Sequence, residues 1–490
     1  MVSPQPQPQP AMPHVLLIPY PAQGHVNPFL KLAKALHARS FHVTFVNTEY
    51  NHGRLIRARG AGAVAGDDRI RFDTIPDGLP PSDLDATQDI WALCEATRRT
   101  GPAALRELVE RIGRRTDGVP PVSCVIADGA MGYAVHVAKE MGLLAYLFFT
   151  TSGCGFLGYL NFDQLVKRGY VPLKDDSCWR NGYLDTPVDW MDGMLPGVRL
   201  RDIPTFIRTT NADDTMLCIN IKQCEVDAPA ASGILLNTFD DLEHHALDAI
   251  RARLPNTFTV GPLLASPSPS PAYLPSLTSS LWRDDDRCAA WLDEYGHNKE
   301  EAGGSVVYVN FGSITVVTGE QMDEFAWGLA ASGFPFLWVV RPDMVRGGWA
   351  VPAGFAAAVA GRGLMVGWCD QEAVLGHRAT GGFLSHCGWN STLESIRAGV
   401  PMLCWPFFAE QVTNCRYVCE EWGMGMEMPR EAGRDEVEAA VRELMGNHQW
   451  RRRAAEWKDK ANKAVAAPDG SSHMNFQKFV DEIIARPTTK

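Results

Sequence analysis

Short apolar runs alternate with amphipathic stretches through most of the chain. HVLLIPY (14–20) is followed by NPFLKLAKALHARS, apolar along one helical face, and then by FHVTFVN (41–47). That order predicts strand, helix, strand, with Gly24 and Pro28 marking the turn and the start of the helix. SCVIAD (123–128), LAYLFFT (144–150) and GILLNT (233–238) predict further strands, and AVHVAKEMG, between Asp128 and Leu144, predicts a helix. Strands apolar on both faces belong in a parallel sheet covered by helices on both sides. The pattern then breaks at ASPSPSPAYLPSLTSS (265–280), too rich in serine and proline to build a core, which reads as an interdomain connection. It restarts with SVVYVNFGS (305–313), FPFLWVVR (334–341), GLMVGWC (363–369), GGFLSHC (381–387) and VPMLCWPF (400–407). Thr318 and Gln321 form a capping box for a helix running toward Ser332, and Ser471–Ala485 is helix-patterned. The expectation is two similar α/β halves.

Length agrees with that reading, since 490 residues exceed what a single hydrophobic core holds. The balance of 46 basic against 57 acidic residues, a net charge of −11, argues against a nucleic-acid or anionic-membrane binder. It leaves room for an anionic ligand held at a local site. The twelve cysteines are scattered, none in C-x-x-C spacing, and several sit in apolar runs, such as Cys124 and Cys404. Reduced, buried thiols in a cytoplasmic chain are the expectation, rather than a disulfide scaffold or a zinc site. Residues 1–13 are a Pro/Gln repeat, read as a disordered tail and not a signal peptide, and no apolar run is long enough to span a membrane.

Candidate chemistry concentrates in residues 368–411, WCDQEAVLGHRATGGFLSHCGWNSTLESIRAGVPMLCWPFFAEQ. Ser385–Asn390 reads as the loop after a strand and Ser391 as the start of a helix, whose free backbone N–H groups and partial positive charge suit a pyrophosphate. His386, Asn390 and Ser391 add side-chain donors there. Ser391 and Glu394 also fit an S-x-x-E capping box, and Trp368 fits either a stacking platform for a ring or a core aromatic. Asp128, at the end of SCVIAD, is placed where parallel sheets carry functional side chains, or where a helix needs its N-cap.

This box, with PAQGHVNP (21–28), FGS (311–313) and the two-half layout, resembles the plant family 1 UDP-glycosyltransferases. FFTTSGCGFLGYL and RLRDIPTFIRTT are similar to the 85 group of that family. The resemblance implies an α/β protein of GT-B fold, two Rossmann-like domains with parallel sheets facing across a cleft. It divides the chain into the 1–13 tail, an acceptor-binding domain at 14–262, a linker region at 263–302, a UDP-sugar-binding domain at 303–470, and a C-terminal helix at 471–490 packing back on the first domain.

It further implies a UDP-sugar donor, with Trp368 stacked on uracil, Cys369 and Gln371 recognising the uridine, Glu394 on the ribose hydroxyls, Ser313, His386, Asn390 and Ser391 around the diphosphate, and Trp389 also among the UDP-sugar-binding residues. Thr150, Glu410 and Gln411 would meet the sugar, and glutamine at the last position accompanies a glucose donor in the family. His25 resembles the base that deprotonates the acceptor hydroxyl, and Asp128 the carboxylate that orients it, a pair that would invert the anomeric carbon. Histidine suits the task because its ordinary pKa of about 6.5 leaves it largely neutral at pH 7.

His25, Trp91, Phe149, Met194 and Phe206 are the candidates for acceptor contact, within variable stretches near Gly78–Trp91 and Met191–Ile207. The acceptor implied is a small apolar molecule with a hydroxyl. No metal or other cofactor is expected, and the partners are the UDP-sugar donor and a small hydroxylated acceptor, bound by a monomer. Asp83 and Asp85 form a D-x-D in a polar, proline-rich stretch remote from the nucleotide box. Two other readings compete. Gly153-Cys154-Gly155-Phe156-Leu157-Gly158 is a literal G-x-G-x-x-G with Asp175 and Asp176 further on, as in NAD(P)-dependent oxidoreductases. A non-catalytic sugar-nucleotide binding protein is the other.

Overall fold

The computed structural model describes residues 13–81, 87–263, 277, 280–296 and 304–485. The Pro/Gln tail, the Asp83–Asp85 pair and most of the Ser/Pro-rich connection lie outside these residues.

Two wholly parallel sheets carry the fold. The first holds β1 (His14–Ile18), β2 (His42–Thr48), β3 (Ile70–Ile75), β4 (Val122–Asp128), β5 (Leu144–Phe149), β6 (Gly233–Leu236) and β7 (Thr257–Thr259), in the order β3-β2-β1-β4-β5-β6-β7. The second holds β8 (Val306–Asn310), β9 (Phe336–Val339), β10 (Gly363–Val366), β11 (Thr380–Ser385), β12 (Met402–Cys404) and β13 (Gly425–Glu427), in the order β10-β9-β8-β11-β12-β13. Central strands are buried along their whole length, as β1 and β8 are, because helices cover both faces of each sheet. This is the GT-B arrangement, two doubly wound halves with their sites facing one another.

Strand order reverses between β1 and β4 in the first half and between β8 and β11 in the second. A crevice opens at such a switch point, beyond the carboxyl ends of the strands. His25 follows β1, Asp128 ends β4, Ser313 follows β8 and His386 follows β11, so both switch points carry candidate residues.

The strands that sequence pattern does not predict, β3, β7 and β13, all lie at sheet edges. β3, IRFDTI, is only partly buried between its ends, and β7 and β13 are three residues each. Edge strands are covered on fewer sides and lack the unbroken apolar run that marks a central strand.

The helix Gly319–Ser332 starts from the Thr318–Gln321 capping box, with both reciprocal hydrogen bonds formed. The helix Ser471–Ala485 lies against the first sheet, where Phe479 meets the Tyr146 ring at 5.1 Å and Tyr146 donates to Glu482 Oε2 at 3.0 Å. All twelve cysteines are free and ten are buried. Among the described residues no helix is long and apolar enough to cross a membrane.

Candidate active site

The helix Gln23–His37 begins earlier than sequence predicts, so His25 stands in its first turn and not in a loop. Pro28, inside this helix, has no N–H to offer the carbonyl four residues back. That carbonyl, Gly24 O, instead accepts from Asn390 Nδ2 of the other half at 2.5 Å. The G-H-V-N-P run thereby creates an acceptor for the opposite half beside His25.

His25 Nδ1 lies 2.8 Å from Asp128 Oδ2 and 2.9 Å from Thr150 Oγ1, and Tyr20 packs edge-on against the imidazole at 5.1 Å. A proton on Nδ1, shared by these oxygens, leaves Nε2 as the free acceptor. Asp128 serves both readings of its position, since its Oδ1 accepts from Ala130 N at 2.9 Å and caps the next turn. Burial alone would lower the His25 pKa, but the Asp128 charge and hydrogen bond, helped by Glu410, outweigh it and raise the group above its ordinary value.

Across the cleft, the helix Trp389–Ala398 is capped by Gly388, so Ser391 sits within its first turn and the S-x-x-E capping box does not form. Gln371 Nε2 donates to Ser391 Oγ at 2.9 Å and to Glu394 Oε2 at 2.7 Å, while its Oε1 accepts from Asn310 Nδ2 at 2.9 Å. The amide is thus committed to Glu394 and Ser391 on one side and to β8 on the other. Trp368, two residues beyond β10, stacks on Trp282 at 4.6 Å, and the Arg54 guanidinium lies over the Trp282 ring, 4.6 Å from its centroid. Gln411 lines the cavity, and its Oε1 accepts from Phe407 N at 2.9 Å and Phe408 N at 3.3 Å, so its NH₂ is the donor side of the amide.

His386 lies between Gly312 and Gly388, where a Cβ on either glycine would come within 2.4 Å of its Nε2. Burial and the nearby Arg341 push its pKa down to about 4. It is therefore a neutral N–H donor rather than a resident cation. Arg341 itself is buried and binds the loop that carries Ser313, donating to Gly312 O at 2.8 Å and Thr315 O at 2.7 Å.

One cavity of about 460 Å³ joins the two halves. It is lined by His25, Asp128, Phe149, Thr150, Phe206, Ser313, Trp368, Cys369, Gln371, His386, Trp389, Asn390, Ser391, Glu394, Glu410 and Gln411. Two predicted acceptor residues do not line it. Trp91 is 49% exposed and meets Phe206 only edge-on at 6.5 Å, while its neighbours Ile90 and Cys94 face inward. Met194 packs against the core, with the Tyr417 hydroxyl 4.0 Å from its sulfur.

The cavity wall also includes Met216, Ile219, Asn220 and Gln223, which sequence reasoning did not pick out. Their spacing, with increments of three, one and three, puts them on one face of the turn sequence beginning at Thr215, a period that was there to be read.

The G-x-G-x-x-G segment forms the buried helix Gly153–Leu160. The N–H groups a dinucleotide would need are taken, because Gly153 N and Cys154 N donate to Glu243 at 2.8 Å each and Gly155 N donates to Ser152 Oγ at 2.9 Å. A Cβ on Gly155 would meet Glu410 Cβ at 2.8 Å, and one on Gly158 would meet Pro204 Cδ at 2.6 Å. The glycines serve close packing and not a dinucleotide, against the oxidoreductase reading. Among the described residues, Cys387, Cys404 and Cys415 bring three thiols within 4.8 Å of one another in the core. Burial pushes the Cys387 and Cys404 thiols well up, toward the protonated form.

The two halves match separate family descriptions. Residues 13–164 match "Glycosyltransferase, N-terminal domain" and residues 288–457 match "UDP-glucoronosyl and UDP-glucosyl transferase". The chain belongs to the plant UDP-glycosyltransferases, in their 85 group. It is 50% identical to UDP-glycosyltransferase 85A2 of Arabidopsis thaliana over 96% of this chain and 98% of that one. It is 48% identical to 7-deoxyloganetin glucosyltransferase of Catharanthus roseus over 97% of each. The structure of Os79 from O. sativa in complex with UDP superimposes with a TM-score of 0.77, at 30% identity, covering 96% of this chain and 100% of that one.

Proposed function

We propose that this enzyme transfers glucose from UDP-glucose to a hydroxyl of a small apolar plant metabolite, with inversion at the anomeric carbon and without a metal. The observation that carries the reading is the His25–Asp128 pair, 2.8 Å apart, in the same cavity as Trp368, Gln371, His386, Ser391, Glu394 and Gln411 of the 368–411 box. His25 Nε2 takes the acceptor proton as its oxygen attacks from the face opposite the departing UDP, and Asp128 stabilises the imidazolium that results. Leaving-group charge falls on the free N–H groups at the start of the helix Trp389–Ala398, on the neutral donor His386 and on Ser313, none of which needs a cation to act.

Glucose as the sugar is supported by Gln411, a cavity residue whose amide oxygen is held by the backbone, and by the glucosyltransferase named among the relatives. Tyr20, Ile90, Phe149, Phe206, Met216 and Ile219 give the acceptor side apolar surface, while Asn220 and Gln223 offer a few polar contacts. The test is a panel of hydroxylated plant metabolites with UDP-glucose, glycosides being detected by mass. His25→Ala should abolish transfer while UDP still binds, and near-normal turnover in that variant under saturating donor would remove His25 from the mechanism.

A further inference from the structure

Lys31 belongs to the first half, on the helix that carries His25, yet its ammonium is engaged by the second half. Its Nζ lies 3.1 Å from Glu394 Oε1 and also pairs with Glu372. All three side chains are largely buried at the cleft, and both Lys31 and Glu394 line the shared cavity. Glu394 is held on its other oxygen by Gln371 Nε2 at 2.7 Å. An ammonium has three donors, and two acidic partners leave one for a ligand. A carboxylate oxygen bound once still has a lone pair free to accept from a hydroxyl.

We propose that Lys31 is a positioning and specificity residue for the donor: together with Glu394 it grips a ribose hydroxyl, Glu394 accepting its proton and Lys31 donating to its oxygen. This rests on the reading of Glu394 as the ribose carboxylate. A hydroxyl bound as donor and acceptor at once is distinguished from a missing one, because its absence leaves both buried charged groups without their ligand partner. The grip also spans the cleft. Lys31 is seven residues, about two turns, beyond Gly24, and both positions fall on the same face of the helix. Gly24 is tied to Asn390 and Lys31 to Glu394, so the second half holds the helix on both sides of His25 along its axis. Ribose binding at Glu394 therefore sets the position of the base in the other half.

The test is the affinity of Lys31→Met, Lys31→Arg and Glu394→Ala for UDP and for 2′-deoxy- and 3′-deoxy-UDP, by calorimetry, alongside the wild type. The wild type should prefer UDP to at least one deoxy analogue. Lys31→Met should lose about tenfold in UDP affinity, the scale of a hydrogen bond to a charged group, and most of that preference with it. Lys31→Arg should recover part of both. If Lys31→Met fails to fold, Lys31→Gln, neutral and polar, answers the same question. UDP binding that is unchanged or tighter in these variants overturns the proposal, since Lys31 would then be a plug competing for Glu394. An equal loss for UDP and both analogues overturns it as well, because that is what general damage does. Glu394→Ala separates the two levels: UDP affinity surviving there removes the ribose reading itself, whereas its loss beside an unaffected Lys31→Met removes only the role of Lys31.

Discussion

Tyr159, from the helix Gly153–Leu160 of the first half, donates its hydroxyl proton to Glu410 Oε2 of the second at 3.0 Å. Both residues line the cavity, and burial raises the pKa of each. The hydrogen bond fixes one oxygen of Glu410 and leaves the other for the donor sugar that we propose it contacts. Tyr159→Phe removes that constraint without changing the ring. KM for UDP-glucose is expected to rise roughly fivefold, the effect of about 1 kcal/mol, while the affinity for UDP, which has no sugar, stays as it was. Comparing inhibition by UDP with the KM of UDP-glucose checks this, and an equal loss for both would place the effect outside the sugar site.

The same carboxylate bears on the pH dependence. His25 must be neutral to accept a proton, and its pKa is raised because Asp128 and Glu410 favour the imidazolium more than burial disfavours it. Activity should therefore rise as pH increases through a value above the ordinary pKa of about 6.5. Glu410→Gln deletes one of the raising charges, so the acidic limb of kcat/KM should move to lower pH. Asp128→Asn should move it the same way and also lower kcat on the order of 10⁴-fold, as losing the orienting carboxylate does in Ser-His-Asp enzymes. The check is the pH profile of kcat/KM for each variant, and a shift to higher pH in either would contradict this electrostatic account.

Arg341 holds the loop that carries Ser313, the residue we propose faces the diphosphate. Its buried guanidinium satisfies the carbonyls of Gly312 and Thr315 and pairs with Asp343 at 3.4 Å, while Thr87 of the first half donates to Asp343. Arg341→Met leaves two carbonyls without their donor and one carboxylate without its cation. A loss of about 3 kcal/mol in unfolding free energy is expected, measured by denaturant titration, with KM for UDP-glucose raised because Ser313 and Gly312 lose their support.

Much of this architecture is legible in the chain because its signals are local. Central strands announce themselves as unbroken apolar runs, and Thr318 with Gln321 announces a helix start. The edge strands β3, β7 and β13 are invisible for the converse reason, being short or polar on one side. The site residues brought to one cavity come from contiguous motifs, and the misplaced ones, Trp91 and Met194, come from segments with no motif. For Trp91 the difference is one step around a helix: Ile90 and Cys94 turn inward and it turns out. Lys31, Tyr159 and Arg341 could not be read from sequence at all. Each acts through a partner far along the chain, and an ordinary lysine on an amphipathic helix gives no sign of a carboxylate waiting across a cleft.

The G-x-G-x-x-G segment yields the last prediction, because its glycines answer to packing and not to a dinucleotide. A methyl on Gly155 would fall 2.6 Å from Thr151 Oγ1, 2.7 Å from Ser152 Oγ and 2.8 Å from Glu410 Cβ. Alanine is the better helix former by roughly 1 kcal/mol, but overpacking of this kind costs about 1–3 kcal/mol. The crowding falls on the cap of the helix and on Glu410 together. Gly155→Ala should thus lower the unfolding temperature and raise KM for UDP-glucose, with no NAD(P) binding to lose in either protein. Gly113, at the end of the helix Ile90–Gly113, is the control, since a Cβ there meets nothing within 4 Å. Gly113→Ala should be neutral or stabilising by up to about 1 kcal/mol. Thermal unfolding of the two variants side by side decides the matter, and equal behaviour would mean that the Gly155 contacts yield freely and that the close approach of Glu410 is not what keeps a glycine there.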